Sequence, residues 1–173
     1  EVVQEKNPDL PEESKLEIAK AVGIGAIRYP MISRESNKVV VFDWQTALDF
    51  NGQAAPYIQY AYVRANSILR KVDQVIPDSS ALAGDMTEQE ITLVDLISRL
   101  PEEIQKAARD LKPLIITNYA YDLARAFNDF YTQCPVLSAE EPLRSARIRL
   151  VAAARQAIAN SLAVMGITAP QAM

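Results

Sequence analysis

Apolar residues recur along most of this chain at intervals of three and four, the spacing that lines one face of an α-helix. Pro11-Glu12-Glu13 puts a proline in a first turn and two carboxylates at the positive end of a helix dipole, which predicts a helix running to about Arg28. Lys38-Val39-Val40-Val41-Phe42 interrupts the pattern with a short β-branched run, an extended stretch, after which Asp43 is placed to cap a short helix through Leu48. Asn51-Gly52 is a turn. From Ala55 to Ile76 the periodicity is strongest: Ile58, Ala61, Tyr62, Ala65, Ile68, Leu69, Val72 and Ile76 fall within roughly 120° of arc, the core face of one helix.

Residues 77–86, with Ser79-Ser80 and Gly84-Asp85, read as a linker dividing the chain into 1–76 and 87–173. Thr87-Glu88-Gln89-Glu90 is a capping box ahead of Ile91, Val94, Ile97 and Leu100. Pro101-Glu102-Glu103 is expected to open another helix, and a further one begins near Pro113 with Tyr119, Leu123, Phe127, Phe130 and Cys134 on one side. Ser138-Ala139-Glu140-Glu141 reads as a second capping box, starting a long helix through Val164 that Gly166 closes. The expectation is an all-α helical bundle with at most a short extended stretch near 38–42.

Composition narrows the chemistry. At 173 residues, 49% hydrophobic and 23% charged, the chain is an ordinary globular length and mixture, without the apolar run of about 20 residues that a membrane span requires. It contains no histidine and one cysteine, Cys134, which removes Ser-His-Asp and Cys-His catalysis, an internal disulfide framework and the usual zinc ligand sets. The five glycines form no phosphate-cradling pattern, so no cofactor is expected in this segment. A chain opening on Glu1-Val2-Val3 reads as a piece of something longer, and a cytoplasmic setting is the default. The net charge of -4 argues mildly against nucleic acid, although it cannot say where the charges sit.

The helix after Gly52 carries a second stripe that its core face does not explain. Tyr57, Tyr60, Arg64, Ser67 and Lys71 fall within roughly 80° of arc, so aromatic rings and cations alternate on one polar face. Unpaired bases stack on such rings while cations hold the backbone, as single-stranded RNA requires. The same stripe also describes tyrosines at a core margin beside solvated charges, and an exposed tyrosine face suits a protein partner as well. Arg64 is open to both a phosphate contact and a helix-packing role. Arg147 falls inside the apolar stripe of the last helix, where a charge needs a partner such as Asp122 or Asp129.

Phe42-Asp43-Trp44 followed by Asn51-Gly52-Gln53-Ala54-Ala55-Pro56-Tyr57-Ile58-Gln59-Tyr60-Ala61-Tyr62-Val63-Arg64 resembles the stem region of arginyl-tRNA synthetases. The preceding Ala21-Val22-Gly23-Ile24-Gly25-Ala26-Ile27-Arg28-Tyr29 is similar to the same family, as are Asp122 to Tyr131, Ala146 to Leu150 and Gly166 to Met173. The resemblance implies stem helices over 1–76 and a helical anticodon-binding domain of the class I synthetase type over 87–173. It implies tRNA-Arg as partner, and a catalytic domain of the same polypeptide that uses ATP and Mg to ligate arginine. The segment itself would be catalytically inert. By matching positions, Tyr57 and Tyr60 would contact anticodon bases, and Asn51, Gly52, Gln53 and Pro56 would approach the RNA backbone. Arg64 would be a candidate phosphate contact, Met173 matches a family position that reaches the anticodon, and Tyr131 would lie near the same surface. Ala54 departs from the family's common threonine, and Tyr62 from its frequent histidine.

Overall fold

The computed structural model describes residues 10–72 and 86–173. They form six helices: α1 (Glu12–Ile32), α2 (Trp44–Ala47), α3 (Ala55–Arg70), α4 (Glu88–Asp110), α5 (Leu114–Gln133) and α6 (Leu143–Val164). The 38–42 run pairs with no strand among the described residues, and Val39 and Val41 stand exposed. No described helix is long and apolar enough to cross a membrane. Apart from Met86, the expected 77–86 linker lies outside the described residues, as does the predicted tail of α3 beyond Val72.

α3 lies at the centre. It packs on α1, α5 and α6, while α4 packs chiefly on α5 and also touches α6. A single hydrophobic cluster therefore runs from Tyr29 of α1 through Ile58, Ala61 and Ala65 of α3 to Leu93, Phe127, Phe130, Ile158 and Leu162. Two buried tyrosines tie helices together through main-chain carbonyls: the Tyr29 hydroxyl donates to Thr117 O at 3.1 Å, and that of Tyr119 to Leu96 O at 2.8 Å. Burial pushes the Tyr29 phenol well above its ordinary value. Burial first, then the Glu103 charge, pushes Tyr119 up to about 12, so both stay neutral donors.

Four boundaries differ from the sequence expectation. α1 continues past Arg28 and through Pro30 to Ile32, because its next turn carries the buried, hydrogen-bonded Tyr29. α3 ends at Arg70, where Lys71 N donates back to Ile68 O at 3.0 Å. Pro101 opens no new helix: α4 is continuous from Glu88 to Asp110. Its apolar stripe runs on both sides of the proline, with Leu93, Leu96, Leu100, Ile104 and Ala107 all reaching the core, so burial offsets the hydrogen bond that proline cannot make. Across the proline, Arg99 pairs with Glu103 at 2.9 Å.

Nor does Ser138 cap α6. That helix begins at Leu143 with Pro142 before it, because a proline disfavours helical geometry in the residue it follows. Glu141 takes over the capping role, accepting from Ser145 N at 3.2 Å. The other end follows expectation: Gly166 sits at φ +65°, and Ile167 N donates to Leu162 O at 2.8 Å, closing a Schellman turn. Asp43 caps α2 as read from the sequence, accepting from Thr46 N at 2.8 Å.

Two glycines of α1 make a paired test of how closely it approaches α3. A Cβ on Gly25 would stand 3.2 Å from Ala55 Cβ and Ile167 Cγ2, and neither atom sits at the end of a long flexible chain. Around Gly23 a Cβ would meet nothing within 4 Å. Gly25→Ala is expected to lose about 1 to 3 kcal/mol of stability through overpacking. Gly23→Ala should gain roughly 0.5 to 1 kcal/mol from lower chain entropy in the unfolded state. Denaturant midpoints of the two variants check both signs.

Candidate nucleic-acid interface

The loop entering α3 is shaped by Asp49. Its Oδ1 accepts from Asn51 N at 2.8 Å, and its Oδ2 would lie 2.5 Å from any Cβ placed on Gly52, so a side chain there would push the Asp49 carboxylate aside. Asn51 and Gln53 are exposed, and Gln53 Nε2 donates to Asn118 Oδ1 at 3.0 Å, joining the loop to α5. Ala54 is buried and gives α3 no side-chain cap; Pro56, also buried, starts the helix instead. Ala54 holds the N-cap position of α3, where a threonine hydroxyl would cap the helix.

The helix that follows sorts its motif by direction. Gln59 points inward and is fully buried, its Nε2 donating to Ala21 O at 3.2 Å and Thr168 O at 2.8 Å. This side chain clasps α1, α3 and the C-terminal segment. Sequence reasoning passed over it, since a polar residue between two tyrosines reads as surface. Tyr57 is partly buried against the core, its ring centroid 5.2 Å from that of Tyr121. Tyr60 is 37% exposed and faces a groove of about 750 Å³ between α3, α5 and the chain end.

That groove gathers Tyr60, Arg64 and Ser67 from α3, Lys71 at its C-cap, Tyr131 from α5, and Met173. Five of the residues singled out from sequence, Tyr60, Arg64, Lys71, Tyr131 and Met173, thus share one surface. Tyr57 and residues 51–53 occupy the neighbouring stretch toward the start of α3. The groove lining holds two cations and no Asp or Glu side chain. The other described grooves each include acids: Glu88, Asp122 and Asp129 in one, Glu17 in a second, Glu103 and Asp122 in a third. In a chain of net charge -4 this is a local inversion of sign.

Arg64 is the centre of the arrangement. Its Cζ lies 4.7 Å from the Tyr60 ring centroid and 5.0 Å from that of Tyr131, within cation–π range of both. Nη1 donates to Asn128 Oδ1 at 2.8 Å, and Nη2 to the Tyr60 hydroxyl at 3.3 Å. Arg64 therefore packs between helices, one of the two roles the sequence left open, and its side chain also lines the groove.

Arg147 does not pair with Asp122 or Asp129. Its Nε donates to Glu90 Oε1 at 2.7 Å and its Nη1 to Pro135 O at 2.8 Å, with both charged groups buried. Asp122 and Asp129 are exposed on the far edge of α5, whereas Glu90 faces inward from the capping box of α4. Cys134 is buried, as a small core residue. No group of three or more metal-ligating side chains occurs among the described residues.

The chain is similar to known proteins over nearly its whole length. The arginine–tRNA ligase of Pyrococcus furiosus is 48% identical over 179 residues, covering 99% of this chain and 28% of that protein. The arginine–tRNA ligase of Methanocella arvoryzae is 46% identical, covering 99% of this chain and 30% of that protein. The solved arginyl-tRNA synthetase of Thermus thermophilus superposes with a TM-score of 0.90 at 38% identity, over 99% of this chain and 30% of that one. The chain thus spans less than a third of the length of these relatives. The sequence pattern described as the DALR anticodon binding domain matches residues 58–173, from within α3 to the last residue, and the chain belongs to that family.

Proposed function

We propose that this chain is the tRNA-binding segment of an arginine–tRNA ligase, holding the anticodon stem and loop of tRNA-Arg and doing no chemistry itself. In this reading the remainder of the polypeptide activates arginine with ATP and Mg and transfers it to the tRNA end. The observation that carries it is the groove free of Asp and Glu side chains, in which two exposed tyrosines and two cations meet Met173. Tyr57, Tyr60 and Tyr131 offer stacking faces for unpaired bases, Arg64 and Lys71 offer charge to phosphates, and the 51–56 loop and Met173 flank them.

A second feature supports the presence of a larger polypeptide. α1 is apolar on two faces: Ile18, Val22, Ala26 and Tyr29 are buried, while Leu16, Ile24, Ile27 and Met31 stand exposed within roughly 80° of arc on the other side. A helix apolar on both sides is covered on both sides in its working assembly. The catalytic domain of the same chain is the proposed cover.

Titration with synthetic anticodon stem-loops tests the reading. Binding should weaken steeply with salt, and should fall when the second anticodon base of the arginine stem-loop is changed. Equal affinity for both stem-loops, or no binding at low salt, would favour a protein-docking role for the exposed tyrosines and sink the proposal.

A further inference from the structure

Arg64 is held in place by a neutral group. None of the ion pairs among the described residues includes it. Instead its guanidinium is gripped by the Asn128 amide oxygen at 2.8 Å and by the Tyr60 hydroxyl at 3.3 Å, with the Tyr60 and Tyr131 ring centroids 4.7 and 5.0 Å from its Cζ. A guanidinium only donates, so its fork can be fixed by a carboxylate or by a neutral carbonyl oxygen. A carboxylate would fix the geometry and cancel the charge. An amide fixes the geometry and leaves the charge whole.

We infer that Asn128 is a positioning residue for RNA binding: it locks Arg64 beside the two tyrosine rings without neutralising it. The inference rests on the tRNA-binding reading above. The helical geometry supports it, since Asn128 lies one turn before Tyr131 on α5 and Arg64 one turn after Tyr60 on α3. Four residues on two helices close one network, and Asn128 supplies its hydrogen bond between helices. Acids are close at hand on α5, at Asp122 and Asp129, yet both are exposed and line a different groove. The position that touches Arg64 carries the isosteric amide.

Two substitutions separate geometry from charge. Asn128→Asp keeps the shape and the acceptor and adds a counter-charge. Asn128→Ala keeps Arg64 charged and frees its side chain. Both are measured by titration with the arginine-tRNA anticodon stem-loop across a salt series, alongside thermal melting. For Asn128→Asp the melting temperature should hold or rise, while affinity falls and the dependence of log K on log salt flattens by about 0.7 to 0.9, one phosphate's worth. For Asn128→Ala affinity should fall roughly three- to tenfold with the salt dependence unchanged. Asn128→Asp binding with wild-type affinity and salt dependence overturns the inference, as does an Asn128→Ala variant that binds like wild type. Equal losses in both variants with an unchanged salt slope assign Asn128 a merely structural role, and overturn it too. If the wild-type chain itself fails to bind, the tRNA-binding reading falls first; if wild type binds and the variants match it, only the role of Asn128 is lost.

Discussion

Glu90→Ala is expected to destabilise the fold by about 3 to 5 kcal/mol, the largest effect of any single substitution argued for this chain. Glu90 is 1% exposed and Arg147 7%, and their Nε to Oε1 distance is 2.7 Å. The other carboxylate oxygen accepts from Thr87 N at 2.8 Å and Thr87 Oγ1 at 3.0 Å, so one side chain completes the cap of α4 and neutralises a cation on α6. Truncation removes the carboxylate half of the capping box and leaves a guanidinium buried with only Pro135 O as partner. A double replacement, Glu90→Leu with Arg147→Met, removes both charges and should recover most of the loss, since an apolar pair needs no desolvation. Urea melts of Glu90→Leu, Arg147→Met and the double variant measure the coupling. Additive losses in the double variant would mean that the two groups do not act as a pair.

The same pair fixes the sign of a pH response. Burial by itself pushes the Glu90 carboxyl up, but the Arg147 hydrogen bond, the Thr87 bonds and the Arg147 charge outweigh it and hold the group below its ordinary value of 4.5. A carboxyl that is more acidic folded than unfolded contributes stability that is full above the unfolded value and is lost as pH falls through the folded one. Wild type and Glu90→Gln should therefore differ most in melting temperature near neutrality and converge in acid. A gap that widens on acidification would contradict the assignment.

Why Glu90 escaped the sequence reading is instructive. In sequence it is the fourth residue of a capping box, an exposed and local role, and the box alone accounts for it. Its second role depends on α6 crossing α4, which periodicity along one helix does not report. The Arg147 partner was therefore sought on α5, where acids sit at similar spacing. Pro101 shows the reverse case: a strong local stop signal was overridden because the apolar stripe continued in phase on both sides. Leu111 ends α4 at φ 51° without glycine, a left-handed turn that residue type does not announce. Where local chemistry and periodicity agreed, as at Asp43, Thr87, the start of α5 and Gly166, the elements were legible.

The binding stripe was legible in part for the same reason. Helical phase put Tyr57, Tyr60, Arg64, Ser67 and Lys71 on one side of α3, and four of these five line the groove. What phase cannot give is the neighbour. Tyr121 covers Tyr57, and Asn128 grips Arg64; both belong to α5 and are more than 60 residues away in sequence.

That difference in neighbours separates the two tyrosines in a measurable way. Tyr60→Ala is expected to lose about 1 to 3 kcal/mol of affinity for an arginine-tRNA anticodon stem-loop, the range for base–aromatic stacking, with little change in melting temperature. Its ring is 37% exposed and already carries Arg64 on one face, so its removal also releases that guanidinium's hydroxyl contact. Tyr57 belongs to the margin of the core and meets Tyr121 at 5.2 Å, so Tyr57→Ala should lower thermal stability together with RNA affinity. Phenylalanine at each position keeps the stacking face and should restore most of the binding. Stem-loop titration and thermal melting of all four variants decide the matter. If Tyr60→Ala binds RNA as wild type does, the groove between α3 and α5 is not where an unpaired base stacks, and the alternating rings and cations of α3 serve packing alone.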